Sequence, residues 1–281
     1  MMNASSVLLT DKVAVVTGGG SGIGKATCKT FAACGATVVI AEIDEAACKQ
    51  TAQEIEQAGG KAIAHTCDVT KAEEVGKLEQ AVLRHLDKVD ILMNNVGHHL
   101  GGRRPFEEST EALWQQLYDI NYKSMMLCTR AFAPHMMKQA KGGSIINVST
   151  VESFRAIPEQ APYSGFNAAI DAFTRSYAVE VGKHGIRVNA IAPDKINSGQ
   201  TRYYERIPKE KLAHVGVWVP LGRLGDGDDI AGVALFLASD LSRWVTGTTI
   251  HADGGTLAAG GWYPRPTGSG WTNSPILSDA G

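Results

Sequence analysis

Long apolar runs are missing. No stretch of the 281-residue chain approaches the roughly 20 apolar residues that a membrane-spanning helix needs, so no membrane partner is expected. Charge of one sign is missing too. Lys and Arg number 27 against 29 Asp and Glu, a formal net charge of -2. That balance gives no field to draw nucleic acid or an anionic bilayer. Cysteine is sparse: Cys28, Cys34, Cys48, Cys67 and Cys128 are odd in number and form no C-x-x-C. A disulfide framework and a zinc site are thereby disfavoured, and a reduced, cytoplasmic setting is expected. The first ten residues lack a basic region followed by an apolar one, so no secretory signal is read. Repeats of solenoid type are absent as well.

What is there begins at Val13. Val13 to Val16 is a continuous, β-branched-rich apolar run, as a strand buried on both faces would be. Glycines follow at once in Gly18-Gly-Gly-Ser21-Gly22-Ile23-Gly24, and from Ile23 the apolar residues recur at helical spacing. Strand, glycine turn and helix is the context in which a phosphate is cradled. The turn must be tight, the backbone must approach the phosphates, and the helix N-terminus must aim its free N–H groups at them. Gly18, Gly22 and Gly24 are the candidates for those tasks. A second strand, Ala36 to Ala41, ends at Glu42. An acid roughly 20 residues past the loop can accept from a ribose 2′-hydroxyl and would repel a 2′-phosphate. The bland alternative is a structural βα turn.

The alternation continues. Ala46 to Gln57 reads as a helix, Lys61 to Thr66 as a strand, and Val89 to Met93 as a fourth strand. Thr70 with Glu73 reads as a capping box opening the helix between them. Glu111 to Lys138 reads as one long amphipathic helix. Ser144 to Ser149, Gly185 to Pro193 and Thr248 to Gly255 read as further strands, with helices from Tyr163 and over Asp228 to Ser239. Such βαβ units predict an α/β fold, a doubly wound, seven-stranded parallel sheet with helices on both faces. His98-His99 invites a metal reading, but neighbouring histidines without further ligands make a poor site, and no metal is expected.

Thr17-Gly18-x-x-x-Gly22-Ile23-Gly24 resembles the classical short-chain dehydrogenase/reductase family, and later motifs extend the resemblance over about residues 10 to 256. It implies a Rossmann-type domain binding a nicotinamide dinucleotide. Asn94-Asn95-Val96-Gly97 is similar to the segment that shapes the sheet beside the cofactor, with Asn95 and Gly97 as binding positions. Asp68 and Val69 resemble the adenine-side pair. Pro193, Ile196 and Ser198 match the segment that passes the nicotinamide, although Asp194 stands where the family has Gly. Ser21, and not a basic residue, precedes Gly22, which together with Glu42 favours NAD over NADP. Asn121 matches the active-site Asn that supports a proton relay.

The resemblance breaks at one position. The family carries Ser, then Tyr thirteen residues later, then Lys four residues after that. Tyr163 is present, Thr150 with Ser149 before it supplies the hydroxyl, and Asn167 replaces Lys. Tyr and Lys at i and i+4 share a helix face, and the ammonium lowers a tyrosine pKa that is about 10 unperturbed. At about 4 Å and an effective dielectric near 20, that charge is worth roughly 4 kcal/mol. Three readings follow. One is an NAD-dependent dehydrogenase interconverting a secondary alcohol and a ketone, its activity attenuated by Asn167 or supported by another cation, with Lys195 as candidate. Another is a cofactor-binding protein with little hydride transfer. The third is a non-redox lyase or isomerase.

The catalytic domain is expected over residues 1–259, with a substrate lid at about 197–219. Tyr203, Tyr204, Val215, Val217 and Trp218 suggest an apolar substrate, or simply packing of the lid. Residues 260–281 are too rich in glycine and proline for regular structure. By resemblance the chain forms a homotetramer, and that tail packs on a neighbouring subunit.

Overall fold

A computed structural model describes residues 2–101, 104–264 and 271–272. Seven strands form one sheet in the order β3-β2-β1-β4-β5-β6-β7, all pairs parallel. They are β1 Val13–Thr17, β2 Thr37–Glu42, β3 Lys61–Thr66, β4 Ile91–Asn94, β5 Gly143–Val148, β6 Ile186–Pro193 and β7 Thr249–Ala252. The helices that matter here are α1 Gly22–Ala33, α2 Glu45–Gln57, α3 Ala72–Leu86, α4 Glu111–Tyr118, α5 Ser124–Gln139, α6 Ala161–Val181, α7 Tyr203–Arg206 and α8 Gly227–Ala238.

Strand β1 is buried along its whole length, and its side chains alternate between two cores. Ala14 and Val16 pack with Phe31 of α1, Ile55 of α2 and Ile230 of α8. Val13 and Val15 pack with Leu78 of α3, Phe132 of α5 and Ala178 of α6. Apolar residues on both faces of a strand require helices on both faces. The strand order reverses between β1 and β4, and ligands in such sheets sit at the carboxyl ends of the strands beside that point.

Three readings of the sequence are corrected. Thr70 does not cap α3: the N-cap is Lys71, without a side-chain bond. The Thr70 hydroxyl instead donates to Asp68 Oδ1 at 2.6 Å, so the capping pattern served a tight Asx turn. The long helix from Glu111 is interrupted by a π-turn over Asp119–Lys123. There the buried Asn121 bonds through Nδ2 to the Leu117 carbonyl, a helix defect of the kind found at functional sites. In the tail, Tyr263–Pro264 pairs antiparallel with Trp271–Thr272, so two residue pairs escape the expected irregularity. Residues 265–270 and 273–281 of the tail lie outside the described residues.

Candidate active site

A single cavity of about 970 Å³ runs across the carboxyl ends of the strands. Its first end is built by the glycine turn. Gly18 has φ +67°, in the left-handed region that glycine tolerates best. Gly24 is closed to any side chain, because a Cβ there would lie 2.0 Å from the Gly18 carbonyl oxygen. Asn95 Nδ2 donates to the carbonyls of Thr17 at 3.0 Å and Gly18 at 3.3 Å. The Thr17 hydroxyl accepts from the backbone N–H of Asn95 at 2.9 Å and of Val96 at 3.2 Å. The loop is therefore stitched to the end of β4.

Helix α1 opens on this cavity. Its N-cap, Ser21, makes no side-chain cap, and Ser21, Gly22 and Ile23 line the wall. Free N–H groups at the positive end of a helix dipole suit a pyrophosphate. Ser198 closes over the loop, its Cβ 3.2 Å from where a Gly22 Cβ would stand. At the end of β2, Glu42 Oε2 accepts from Gly20 N at 2.9 Å, and Oε1 accepts from the N–H groups of Ile43 and Asp44. The carboxylate is held still while facing the cavity. Asp68 accepts at Oδ1 from Thr70 N and its hydroxyl, and with Val69 forms the wall beyond Glu42. This donor set fits a dinucleotide: uncapped N–H groups for phosphates, a fixed carboxylate for ribose hydroxyls, a glycine floor that any side chain would fill.

Toward the other end, Gly97 faces Asn121, whose Oδ1 would stand 3.0 Å from an added Cβ. Asn121 spends its side chain on the chain itself. Nδ2 donates to the carbonyls of His98 and Leu117, and Oδ1 accepts from His98 N, all at 2.9 Å. It thus fixes the loop leaving β4. Pro193 and Ile196 line the same region.

Tyr163 stands in the first turns of α6. Burial pushes its phenol up to about 12. The nearby Thr150 hydroxyl pulls the other way, and Glu152, Asp194 and Tyr203 push it further up. No cation is among the groups that act on it. Asn167, buried one turn on, donates from Nδ2 to the Tyr163 carbonyl at 2.9 Å, folded back on its own helix. Lys195, the candidate for a substitute charge, is not among the groups that act on Tyr163; its ammonium lies 3.3 Å from Asp194 Oδ1.

Of the two candidate hydroxyls, Thr150 faces the tyrosine. Ser149 also borders the cavity, but its Oγ donates to Asp171 Oδ1 at 3.0 Å. Asp171, which the sequence reading passed over, also accepts from Ser153 at 2.6 Å and Thr249 at 2.8 Å. It ties the loop after β5 to α6 and β7. Asp171→Ala strands the hydroxyls of Ser149 and Thr249, while Ser153 keeps the Thr150 carbonyl at 2.6 Å, and should cost about 2–3 kcal/mol. A urea midpoint lowered at unchanged slope reads this out; a loss under about 1 kcal/mol contradicts it.

A charged cluster also went unread. Arg155 forks onto Glu152, Nε to Oε2 at 3.2 Å and Nη2 to Oε1 at 3.0 Å, and reaches Asp194 Oδ2 at 2.6 Å. The only signal in the sequence was Asp in a glycine position. The loop accommodates it without strain at Asp194; the left-handed residue is Lys195, with φ +50°. Of the five lid residues read as apolar lining, only Tyr203 borders the cavity. Val215 is buried in a small cluster with Val219 and Leu224, while Tyr204 and Trp218 are exposed.

A family model described as enoyl-(acyl carrier protein) reductase matches residues 18–256. The chain is 35% identical over 257 residues to the 7α-hydroxysteroid dehydrogenase of Escherichia coli K12, covering 91% of this chain and 98% of that protein. It therefore belongs to the short-chain dehydrogenase/reductase family. The 3-oxoacyl-[acyl-carrier-protein] reductase of Thermotoga maritima is 35% identical over 249 residues, 89% of this chain and 99% of that one. A solved 7α-hydroxysteroid dehydrogenase complexed with NADH and 7-oxo glycochenodeoxycholic acid superposes with a TM-score of 0.84 at 35% identity. It covers 91% of this chain and 98% of its own. This short-chain dehydrogenase/reductase is accordingly an oxidoreductase enzyme using a nicotinamide cofactor. No helix among its described residues is long and apolar enough to cross a membrane.

Proposed function

We propose that this enzyme interconverts a secondary alcohol and a ketone with NAD(H), and that at neutral pH it acts as a reductase. The observation that carries the reading is a phenol, Tyr163, beside the Thr150 hydroxyl in the catalytic end of the cavity, with its pKa raised to about 12. NADH held by the glycine turn and Glu42 would supply the hydride for the carbonyl carbon. Thr150 donates a hydrogen bond to the substrate oxygen, and Tyr163 gives that oxygen its proton. A phenol with so high a pKa holds its proton throughout the physiological range. It is ready as an acid and almost never available as a base, so alcohol oxidation depends on alkaline pH.

NAD is favoured over NADP by Glu42, whose fixed carboxylate can accept from a 2′-hydroxyl and repels a 2′-phosphate. Glu42→Ala should shift the NADH-to-NADPH affinity ratio by about tenfold or more toward NADPH, read by fluorescence titration of each cofactor. An unchanged ratio contradicts the assignment. Asn167 also favours a second reading, a dinucleotide-binding protein with little hydride transfer. Tyr163→Phe separates the two. It should lower turnover of any ketone the enzyme reduces by about 10²–10⁴-fold while leaving NADH affinity intact. Absence of turnover in the unaltered enzyme across a broad ketone panel supports the second reading. By family resemblance we propose the homotetramer as its assembly.

A further inference from the structure

Beyond Tyr163 the cavity is not apolar. Glu152, Asp194, Lys195 and Arg206 all border it, and their charges are arranged. Asp194 is almost fully buried, and its two oxygens are filled. Oδ2 accepts from Arg155 Nη2 at 2.6 Å and the Thr256 hydroxyl at 2.7 Å. Oδ1 accepts from Lys195 N at 2.8 Å and meets the Lys195 ammonium at 3.3 Å. A carboxylate offers about four lone-pair sites, so Asp194 has none left for a substrate. Glu152 is likewise held on both oxygens by Arg155. The two acids neutralise Arg155 and anchor the cluster.

Lys195 is different. Its ammonium carries three donors, and among the described residues Asp194 is its one charged partner. Its side chain is 32% exposed and borders the cavity. Its backbone sits in a left-handed conformation that a non-glycine residue rarely takes. The Asp194 side chain, bonded to the Lys195 N–H, pins that conformation. Arg206, on α7, adds a second cation to the cavity lining. Arg155 is thus consumed by the two carboxylates, while Lys195 and Arg206 border the cavity as cations, Lys195 with donors left over after Asp194.

We infer that the substrate carries a carboxylate, held by Lys195 with Arg206 beside it, so that the enzyme acts on a small oxo acid and its hydroxy acid. The inference rests on the oxidoreductase reading for the carbonyl but not for the anion. The residue after Asp194 is then a specificity determinant, and Asp194 is the positioning residue that aims it.

The test is calorimetric and needs no turnover. The enzyme saturated with NADH is titrated with a panel of 3- to 8-carbon hydroxy acids and with their methyl esters, which keep the hydroxyl but lose the charge. At least one acid should bind tenfold or more tighter than its ester. Lys195→Met should erase that preference while NADH affinity holds, Lys195→Arg should restore most of it, and 0.5 M salt should weaken the acid but not the ester. Acids and esters binding alike throughout the panel overturns the proposal, as does a preference that survives Lys195→Met. Tight acid binding without any hydride transfer leaves this inference standing and removes the dehydrogenase reading instead.

Discussion

Asn167→Lys moves the alkaline limb of alcohol oxidation down by about two to three pH units and raises the oxidation rate at pH 7 by about a hundredfold. The sign follows from the two protonation states of Tyr163. Oxidation needs the phenolate, and burial together with Glu152 and Asp194 holds the phenol neutral up to about 12. Below that value the phenolate fraction rises tenfold per pH unit. An ammonium one helical turn away favours the charged form by roughly 4 kcal/mol at an effective dielectric near 20, and about 1.4 kcal/mol is one unit. Ketone reduction, which uses the neutral phenol, should gain far less at pH 7. Steady-state pH profiles of both enzymes, in both directions, check this. A limb that stays in place would show that Tyr163 ionisation does not govern the rate.

Gly24→Val abolishes dinucleotide binding, by more than about a hundredfold, while the sheet survives. A Cβ at this position would sit 2.0 Å from the Gly18 carbonyl and 2.7 Å from Asn95 Nδ2. Neither can retreat, since Asn95 holds the loop through Thr17 and Gly18. The loop must open, and with it the N–H cradle at the start of α1. Fluorescence titration with NADH measures the loss, and far-ultraviolet circular dichroism verifies that the fold remains. Unaltered affinity in a folded variant contradicts the cradle assigned to this turn.

The cofactor end of the site was legible because its chemistry is local. A buried strand, a glycine turn and a helix start lie within Val13 to Ala33, and each leaves a pattern in adjacent residues. Glu42 and Asp68 stand at strand ends that the same patterns locate. Tyr163, Thr150 and Asn167 were legible as a spaced set. The sheet was legible for a related reason: its central strands are nearly continuous apolar runs, and strand limits moved by one or two residues except at β7, which ends at Ala252 and not at Gly255.

What escaped depends on contacts between distant segments. Asp171 gathers hydroxyls from Ser149, Ser153 and Thr249, and nothing in the run of α6 marks it as more than a polar helix residue. Arg155 meets Asp194 across 39 positions of sequence. The choice between Ser149 and Thr150 likewise turned on where Asp171 lies. The lid left two readings open for a physical reason, since apolar residues on a short helical segment can cover one another as readily as they cover a ligand. Val215, Val219 and Leu224 do so, which leaves the wall to Lys195, Arg206 and Tyr203.

The most direct measurement is the pH dependence of the unaltered enzyme in both directions between about pH 6 and 10, with NAD(H) and a panel of hydroxy and oxo acids. Reduction should be flat, because Tyr163 stays protonated. Oxidation should climb about tenfold per pH unit without a plateau. A plateau of oxidation near neutral pH would contradict the account, since it would mean that the phenol is already ionised there without a lysine beside it.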